Sequence, residues 1–274
     1  MSMKQLLYLN DAYMKEFDAV VTNIVSDDTG TWIVLDQSAF YPQGGGQPFD
    51  TGTIVHEHET YAVSEVRKGE SGALHRIDRQ GLKVGDRVHG IIDWDRRYRL
   101  MRTHTAAHIV SGIAHQQYGA QISGNQLDID KARVDFSLES FDRDLLLGLQ
   151  QKANEIIKQN HVISAKVLPR EEAIKIPALV KLEKGLDPSI MQVRILSIGD
   201  FDMSEISQKG SDALIQAISE HAQKYASQGI AAFFDAQADG GTHVQSTSEI
   251  KGIEIIDLEN KGKGRKRIYF RLVD

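Results

Sequence analysis

Short apolar and alternating runs, separated by turn-forming residues, occupy the first third of the chain. The clearest runs span residues 17–21, 32–35 and 88–92, and turns rich in glycine and aspartate lie between them. Several short strands at this spacing are typical of a small β-barrel. Near Asp93 the pattern changes to the spacing of a helix, so we predict a domain boundary at residue 93.

Helical and strand patterns are mixed after this boundary. Apolar residues recur at helical spacing in three segments, and shorter apolar runs between and after them predict strands. The chain is therefore predicted to be α+β, with a small N-terminal β-barrel followed by an α/β domain. The predicted helices cover residues 95–118, 142–160 and 212–227, and the predicted strands cover residues 162–168, 192–198, 253–258 and 268–273.

Glycine and serine residues mark the expected ends of two helices. Gly119 is the predicted stop of the first helix, because glycine readily adopts the conformation that ends a helix. For the last helix, Ser211 is the predicted N-cap and Gly229 lies just beyond the end. One face of that helix is predicted to carry Leu214, Ile218, His221, Ala222 and Tyr225.

The amino-acid composition and the net charge argue against several classes of protein. Of the 274 residues, 41% are hydrophobic and 26% are charged, which is ordinary for a soluble globular chain, and we expect no membrane span. The net charge of −6 argues against wholesale coating of nucleic acid, so any RNA contact is expected at a local basic patch. The absence of cysteine excludes disulfides and thiolate ligands, and it fits a cytoplasmic protein.

Two pairs of residues that could bind a metal stand far apart in the chain. His104 and His108 lie four positions apart in a predicted helix and can therefore face one ion. Asp239 and His243 flank two glycines, which predicts a tight turn with both side chains folded inward. Each pair alone also fits a plainer interpretation, a polar helix stripe or an ordinary glycine turn. Together, three imidazoles and a carboxylate suit a first-row divalent metal, most often zinc.

Five segments in order resemble a known family. The sequences HTAAH at 104–108 and GGTHV at 240–244 are similar to paired motifs in the editing domain of alanyl-tRNA synthetase. Freestanding alanyl-tRNA editing proteins of the AlaX type carry the same pair, and threonyl-tRNA synthetases carry a related one. Residues 40–48 resemble the family's glycine-rich loop, residues 132–136 a strand after its helix, and residues 262–268 its C-terminal strand.

The resemblance implies both an architecture and an activity. It implies a barrel domain at residues 1–93 and an editing domain of the threonyl/alanyl-tRNA synthetase additional-domain type at residues 94–274. The implied activity is ATP-independent deacylation, in trans, of mischarged tRNA, first Ser-tRNA(Ala) and also Gly-tRNA(Ala). The chain has no nucleotide-binding glycine motif, which fits a hydrolase that needs only water. Two alternatives stay open: a metallohydrolase of this fold acting on a small ester or amide, and a non-enzymatic RNA-binding module with a structural metal.

The resemblance also implies one Zn²⁺ per chain, bound by His104, His108, Asp239 and His243. Synthetase editing domains usually carry cysteine at the position of Asp239. A carboxylate keeps the negative charge of a thiolate but is a harder donor, so another divalent metal could replace zinc here.

The expected substrate suggests further candidate residues for catalysis and for substrate binding. An apolar pocket rejects an added hydroxyl poorly, so an editing pocket is expected to hydrogen-bond the serine hydroxyl. The candidates for this catalytic role are Thr105, Asn125 and Gln126, with ordinary helix and turn polarity as the alternative. The candidates for substrate and tRNA binding are Gly44, Gly45, Gly46, Gln47, Arg102, Lys263 and Arg265. A structural turn is the alternative for the glycine-rich loop, and a solvated charged face is the alternative for the basic residues.

A segment at about residues 204–234 interrupts the family pattern. The resemblance places residues 199–203 and 237–239 nearly next to one another, yet this whole segment separates them. We interpret it as a helical insertion. Extra packing and contact with a substrate or partner are the two roles open to it.

Overall fold

A computed structural model describes residues 6–28, 30–70, 72–138, 143–175, 190–199, 203, 211–228 and 235–274. The chain divides into two compact units, Met1–Met101 and Arg102–Asp274. Helices and sheets are mixed among the described residues, and a closed barrel lies in the first unit, which confirms the predicted α+β class. The domain boundary at residue 93 and the insertion at about 204–234 stay predictions.

Six antiparallel strands close into the barrel of the first unit. They are β1 Glu16–Asp27, β2 Gly30–Leu35, β3 Gly52–His56, β4 Glu59–Gly69, β5 Gly72–Ile77 and β6 Arg87–Ile92. Their order around the barrel is β1-β2-β5-β4-β3-β6. The alternation along β1 buries Phe17, Ala19 and Val21 and leaves Asp18 exposed, because successive side chains of a strand point to opposite faces.

A histidine lies inside the barrel. His75 is fully buried, and its Nδ1 lies 3.3 Å from the carbonyl oxygen of Ile33, to which it donates a hydrogen bond. Its Nε2 therefore accepts the hydroxyl proton of Ser38, whose Oγ is 2.7 Å away. Burial lowers the pKa of His75 to about 4, so the ring is neutral at neutral pH.

Two antiparallel sheets form in the second unit. Their strands are β7 Gln121–Gln126, β8 Ala132–Ser137, β9 Val162–Pro169, β10 Gln192–Gly199, β11 Asp235–Ala238, β12 Ile253–Asn260 and β13 Arg265–Leu272. One sheet has the order β11-β10-β9 and the other the order β12-β13-β8-β7. The four predicted strands of this region are confirmed with small shifts at their ends, whereas β7 and β11 were not predicted as strands. No helix in the described part of the chain is long and apolar enough to cross a lipid bilayer.

The helices are α1 Trp94–Tyr118, α2 Arg143–Lys158, α3 Arg170–Ala173 and α4 Ser211–Gln228. The division between the two units falls within α1. Every residue of α1 from 101 to 114 is buried, so its polar side chains lie inside the protein. The predicted stop is confirmed, because Gly119 has a φ of +66° and its N–H donates to the carbonyl of His115 at 2.9 Å.

Helix α4 packs against the three-stranded sheet. Leu214 and Ile218 are fully buried in a cluster with Val193, Ile195 and Ala236 of the sheet. The predicted helix at 212–227 is therefore confirmed, and its described contacts are packing contacts. The predicted roles of Ser211 at the N-cap, of Gly229 as the stop, and of His221, Ala222 and Tyr225 on one face concern residues or side chains outside the part that the structure describes.

Candidate metal centre

Four side chains from two distant segments converge in the second unit. His104 and His108 come from α1, while Asp239 and His243 come from the loop after β11. The Oδ2 atom of Asp239 lies 3.4 Å from His104 Nε2 and 3.6 Å from His108 Nε2. The Oδ1 atom of Asp239 lies 2.9 Å from His243 Nε2. One potential ligand atom from each of the four residues lies within 4.8 Å of the others.

These spacings fit a small divalent ion. A tetrahedral ion with bonds of about 2.0–2.1 Å separates its ligand atoms by roughly 3.3–3.4 Å. The two contacts from Asp239 to His104 and His108, at 3.4 and 3.6 Å, are close to that separation. Three nitrogen donors and one carboxylate oxygen are also a donor set that such ions accept. The four residues could therefore hold a metal ion.

Burial removes the three histidines from water. The exposed fractions of His104, His108 and His243 are 1%, 5% and 4%. Their rings pack on one another, with centroids 4.3 Å apart between His104 and His243 and 5.2 Å apart between His104 and His108. Three buried imidazoles in contact need specific partners, because buried polar groups are costly when left without them.

The loop between Asp239 and His243 is shaped by glycine and by a hydrogen bond. Asp239 Oδ1 accepts the N–H of Gly241 at 2.6 Å, which tightens the turn. A Cβ atom at Gly241 would lie only 2.3 Å from Cε1 of His104, so glycine lets the ring and the loop approach closely. Arg194 supports the loop from β10, because its Nη1 donates to the carbonyls of Asp239 and Gly241 at 3.1 Å each.

The pKa values of Asp239 and His243, the two residues of the loop, favour metal binding. Burial would raise the pKa of Asp239, but the charge of His104 and hydrogen bonds from all three histidines hold it well below its usual value. Burial and the neighbouring charge of His104 hold the pKa of His243 well below its usual value. Burial opposes charge on His108, yet Asp235 and Asp239 outweigh it and raise its pKa to about 9. Metal binding would therefore displace a proton from His108.

A second layer of polar groups contacts the histidines. The hydroxyl oxygen of Thr105 lies 3.2 Å from His243 Nδ1. Asp235 Oδ2 lies 3.4 Å from His108 Nδ1 and accepts a hydrogen bond from Gln237 Nε2 at 3.0 Å. Thr105 was predicted as a candidate for the serine hydroxyl, and its role there stays a prediction.

Sequence reasoning missed three residues of this centre. Asp235, Gln237 and Arg194 were not singled out, although Asp235 contacts His108, Gln237 contacts Asp235, and Arg194 contacts the loop of Asp239. A signal was present: Asp235, Gln237 and Asp239 follow one another at a spacing of two, which puts their side chains on one face of a strand.

The other two candidates for the serine hydroxyl lie at the end of β7. The side chain of Gln126 accepts a hydrogen bond from Arg133 Nε at 3.2 Å. Gln126 also lines a cavity of about 270 Å³ together with Arg133, Arg267 and Tyr269. Asn125 is half-buried next to it on β7 and pairs with Val134 of β8. A catalytic role for Asn125 and Gln126 stays a prediction.

The glycine-rich loop of the barrel unit forms a closed two-residue turn. Gly44 and Gln47 exchange backbone hydrogen bonds of 3.1 and 2.9 Å. Between them, Gly45 and Gly46 have φ values of +57° and +83°, which only glycine adopts readily at two successive positions. The turn alone thus accounts for both glycines, and substrate contact by Gly44, Gly45, Gly46 and Gln47 stays a prediction.

The three basic candidates differ in their surroundings. Arg102 is only 6% exposed, and its guanidinium contacts the Asp274 carboxylate at 2.6 Å and the Ile250 carbonyl at 2.9 Å. This arrangement favours a structural role for Arg102 over phosphate contact. Lys263 and Arg265 are exposed at the turn between β12 and β13, where a nucleic acid could reach them.

Comparison with known proteins identifies similar chains over almost the whole length. The family described as tRNA synthetases class II (A) matches residues 9–96, and the threonyl and alanyl tRNA synthetase second additional domain matches residues 193–269. The alanyl-tRNA editing protein AlaX-M of Methanosarcina acetivorans is 41% identical over 281 residues, which cover 99% of this chain and all of that protein.

Two further relatives complete the comparison. The AlaX-M protein of Saccharolobus solfataricus is 42% identical over 271 residues, which cover 98% of each chain. The alanine–tRNA ligase of Pyrococcus furiosus is 35% identical over 268 residues, which cover 96% of this chain but 25% of the ligase. The predicted barrel followed by an additional-domain editing fold is thereby confirmed.

Proposed function

The chain belongs to the AlaX-M family of alanyl-tRNA editing proteins, and we propose that it deacylates mischarged tRNA(Ala) in trans. The bond hydrolysed is the ester between the carboxyl group of the wrong amino acid and the terminal ribose of the tRNA. The first substrate is Ser-tRNA(Ala), and Gly-tRNA(Ala) is a further one. The convergence of His104, His108, Asp239 and His243 carries this proposal. Activity on tRNA also implies a cytoplasmic location, where translation takes place.

The four converging residues are proposed to bind one Zn²⁺ per chain. When bound, the ion supplies Lewis acidity towards the ester carbonyl and a fixed point for orienting the substrate. Four protein donors fill a tetrahedral shell, which favours the orienting role over activation of water. The Asp239 carboxylate is a harder donor than a thiolate, so other divalent metals can compete with zinc.

The chain's own residues keep this site in one arrangement. The turn at Gly241 and the Arg194 contacts fix the position of the Asp239 carboxylate against the rings on α1. The Thr105 hydroxyl lies 3.2 Å from Nδ1 of His243, and this contact orients the ring so that Nε2 faces Asp239 at 2.9 Å. Side chains held in this way need little rearrangement when a substrate arrives.

Discrimination against alanine requires polar groups that bind the serine hydroxyl. A site built to hydrogen-bond a hydroxyl disfavours the analogue that lacks it, because the polar groups of the site are then left unpaired. Thr105, Asn125 and Gln126 stay the proposed partners of that hydroxyl. Lys263 and Arg265 are proposed to contact the tRNA backbone, so binding should weaken as salt rises.

The decisive experiment follows the release of labelled serine from Ser-tRNA(Ala). Ala-tRNA(Ala) is treated in parallel, and both reactions are run with the metal-loaded protein and with a chelator. We expect the serine ester to be hydrolysed, the alanine ester to be spared, and the chelator to abolish the reaction. No release of serine by fully loaded protein would overturn the proposed activity.

The same assay separates the two other interpretations. A seryl ester of adenosine alone should be a much poorer substrate than full-length Ser-tRNA(Ala), whereas a hydrolase of small esters would cleave both at similar rates. A structural metal in a non-catalytic module would instead reveal itself by loss of the fold on chelation. Circular dichroism of the chelated protein distinguishes that outcome from a folded but inactive enzyme.

A further inference from the structure

Asp235 is a buried carboxylate beside the metal centre. Only 1% of it is exposed, although it lies at the first position of β11 and pairs with Ile198 of β10. Ionised carboxylates are rarely buried to this degree unless a specific partner compensates the loss of hydration. Its Oδ2 has two such partners: Nδ1 of His108 at 3.4 Å and Nε2 of Gln237 at 3.0 Å.

The register of β11 explains why this carboxylate faces the histidine. Side chains alternate along a strand, so Asp235 and Gln237 lie on one face and Ala236 and Ala238 on the other. The two alanines pack into the apolar cluster beneath α4. The opposite face therefore carries Asp235, which contacts His108, and Gln237, which contacts Asp235. The Asp239 carboxylate in the loop that follows contacts His104 and His108 on α1.

The contact with Asp235 determines which nitrogen of His108 is available. A carboxylate can only accept at this contact, so Nδ1 of His108 keeps its proton, and Nε2 is the nitrogen that would give up its proton and offer its lone pair to a metal. Nε2 is the nitrogen that lies 3.6 Å from Asp239 Oδ2 in the ligand group.

We propose that Asp235 is a positioning residue that holds His108 in the Nε2-donor tautomer and orientation, and that Gln237 in turn fixes Asp235. This inference rests on the proposed metal-binding function of the four residues and adds a determinant of metal affinity beyond them. Partners of this kind typically change metal affinity by about 10–100-fold when removed.

The test compares two substitutions of Asp235 and one control. Asp235→Ala removes both the hydrogen bond and the charge, whereas Asp235→Asn keeps an oxygen that can accept from Nδ1. Asp257→Asn removes one negative charge from an exposed position on β12 and serves as the control for net charge. Zn²⁺ affinity is measured for each purified full-length variant by competition with a chromophoric chelator, in the absence of tRNA.

We expect a loss of about 10–100-fold in Zn²⁺ affinity for Asp235→Ala, a smaller loss for Asp235→Asn, and no change for Asp257→Asn. Nitrogen chemical shifts of His108 provide a second measurement. Measured on the Zn²⁺-loaded proteins, in which His108 has given up one proton, they should report Nδ1 as the protonated nitrogen in the wild type and a mixture of Nδ1- and Nε2-protonated rings in Asp235→Ala. A purely structural role for Asp235 would not alter the tautomer of a folded variant.

Unchanged affinity and an unchanged His108 tautomer in Asp235→Ala would overturn the inference. If Asp235→Ala does not fold, Asp235→Asn decides the matter, because it preserves the size of the side chain. The outcomes also separate this inference from the proposed activity. A protein that binds Zn²⁺ through these residues but leaves Ser-tRNA(Ala) intact contradicts the deacylase proposal alone.

Discussion

His104 and Gly241 are in such close contact that no side chain fits between them. A Cβ built on Gly241 would lie 2.3 Å from Cε1 and 2.4 Å from Nδ1 of His104, and 2.9 Å from Oδ1 of Asp239. The glycine thus lets a helix residue and a loop residue enter the same ligand group. Its neighbour Gly240 is different, because a Cβ there would meet no atom of the described residues within 4 Å.

Gly241→Ala should therefore weaken metal binding, while Gly240→Ala should not. The added methyl group must displace either the His104 ring or the loop that carries Asp239, and either shift separates the ligand atoms. We expect at least a 10-fold loss of Zn²⁺ affinity for Gly241→Ala and a comparable loss of deacylation, because such sites tolerate small displacements poorly. Equal affinities for the two alanine variants, measured by chelator competition, would contradict this explanation.

Replacing a ligand histidine should remove the metal itself. His104→Ala and His243→Ala each take one of four donors from the site, so we expect metal content to fall well below one ion per chain and deacylation to be lost. Elemental analysis of the purified proteins gives the content, and serine release gives the activity. His58→Ala, at an exposed position of the barrel unit, is the matched control. Full metal and activity in both ligand variants would refute the assignment.

Asp239→Cys tests the one ligand that departs from the synthetase pattern. A thiolate preserves the negative charge and is a softer donor, so zinc occupancy should persist or rise, and selectivity for zinc over magnesium or manganese should increase. Asp257→Cys controls for zinc taken up by an introduced thiol alone. A fall in zinc occupancy for Asp239→Cys, with the control unchanged, would indicate that Asp239 is not a ligand.

The stability of the barrel unit should depend on pH through His75. The pKa of this histidine is lowered from 6.5 to about 4 in the folded protein because the ring is buried. Between these values the unfolded chain binds more protons than the folded one, so the free energy of unfolding falls as the pH falls. The whole shift corresponds to about 3 kcal/mol, with stability retained above pH 6.5 and lost progressively towards pH 4.

Urea unfolding at pH values from 7 to 4.5 can test this prediction. Both tryptophans, Trp32 and Trp94, belong to the first unit, so their fluorescence reports the unfolding of that unit. His75→Gln cannot gain a proton, and its unfolding free energy should depend less steeply on pH than that of the wild type. His58→Gln, an exposed substitution, should keep the wild-type slope. Identical slopes for wild type and His75→Gln would exclude His75 as the source.

Local patterns in the sequence were sufficient to predict the barrel and the main helices, and they marked the four converging residues as candidate ligands. The helix spacing of His104 and His108 and the glycine turn before His243 are short-range signals, and the family resemblance joined them. Helix α4 was likewise predicted to within a residue at each end, because its apolar positions recur over four turns.

Residues whose role depends on long-range contacts were harder to predict. Strand β11 has only four residues, too few for a clear alternation, so Asp235 was not recognised as a buried acid. Arg102 was predicted as a tRNA-binding residue, which stays a prediction, and its pairing with Asp274, which is remote in sequence, was not foreseen. In both cases the role of the residue depends on which distant segments come into contact. Local charge and residue spacing do not determine those contacts.

The four candidate ligands lie in two segments that are far apart in the sequence. This separation determines when the site can form during synthesis of the chain. The helix pair emerges from the ribosome about 130 residues before Asp239, and closing so long a loop carries an entropic cost. A nascent chain that has reached only the end of α4 can offer at most two imidazoles, a much weaker site than the complete set. Metal capture is therefore expected only after the loop that follows β11 has been synthesised, and it would act as a late check on correct folding of the second unit.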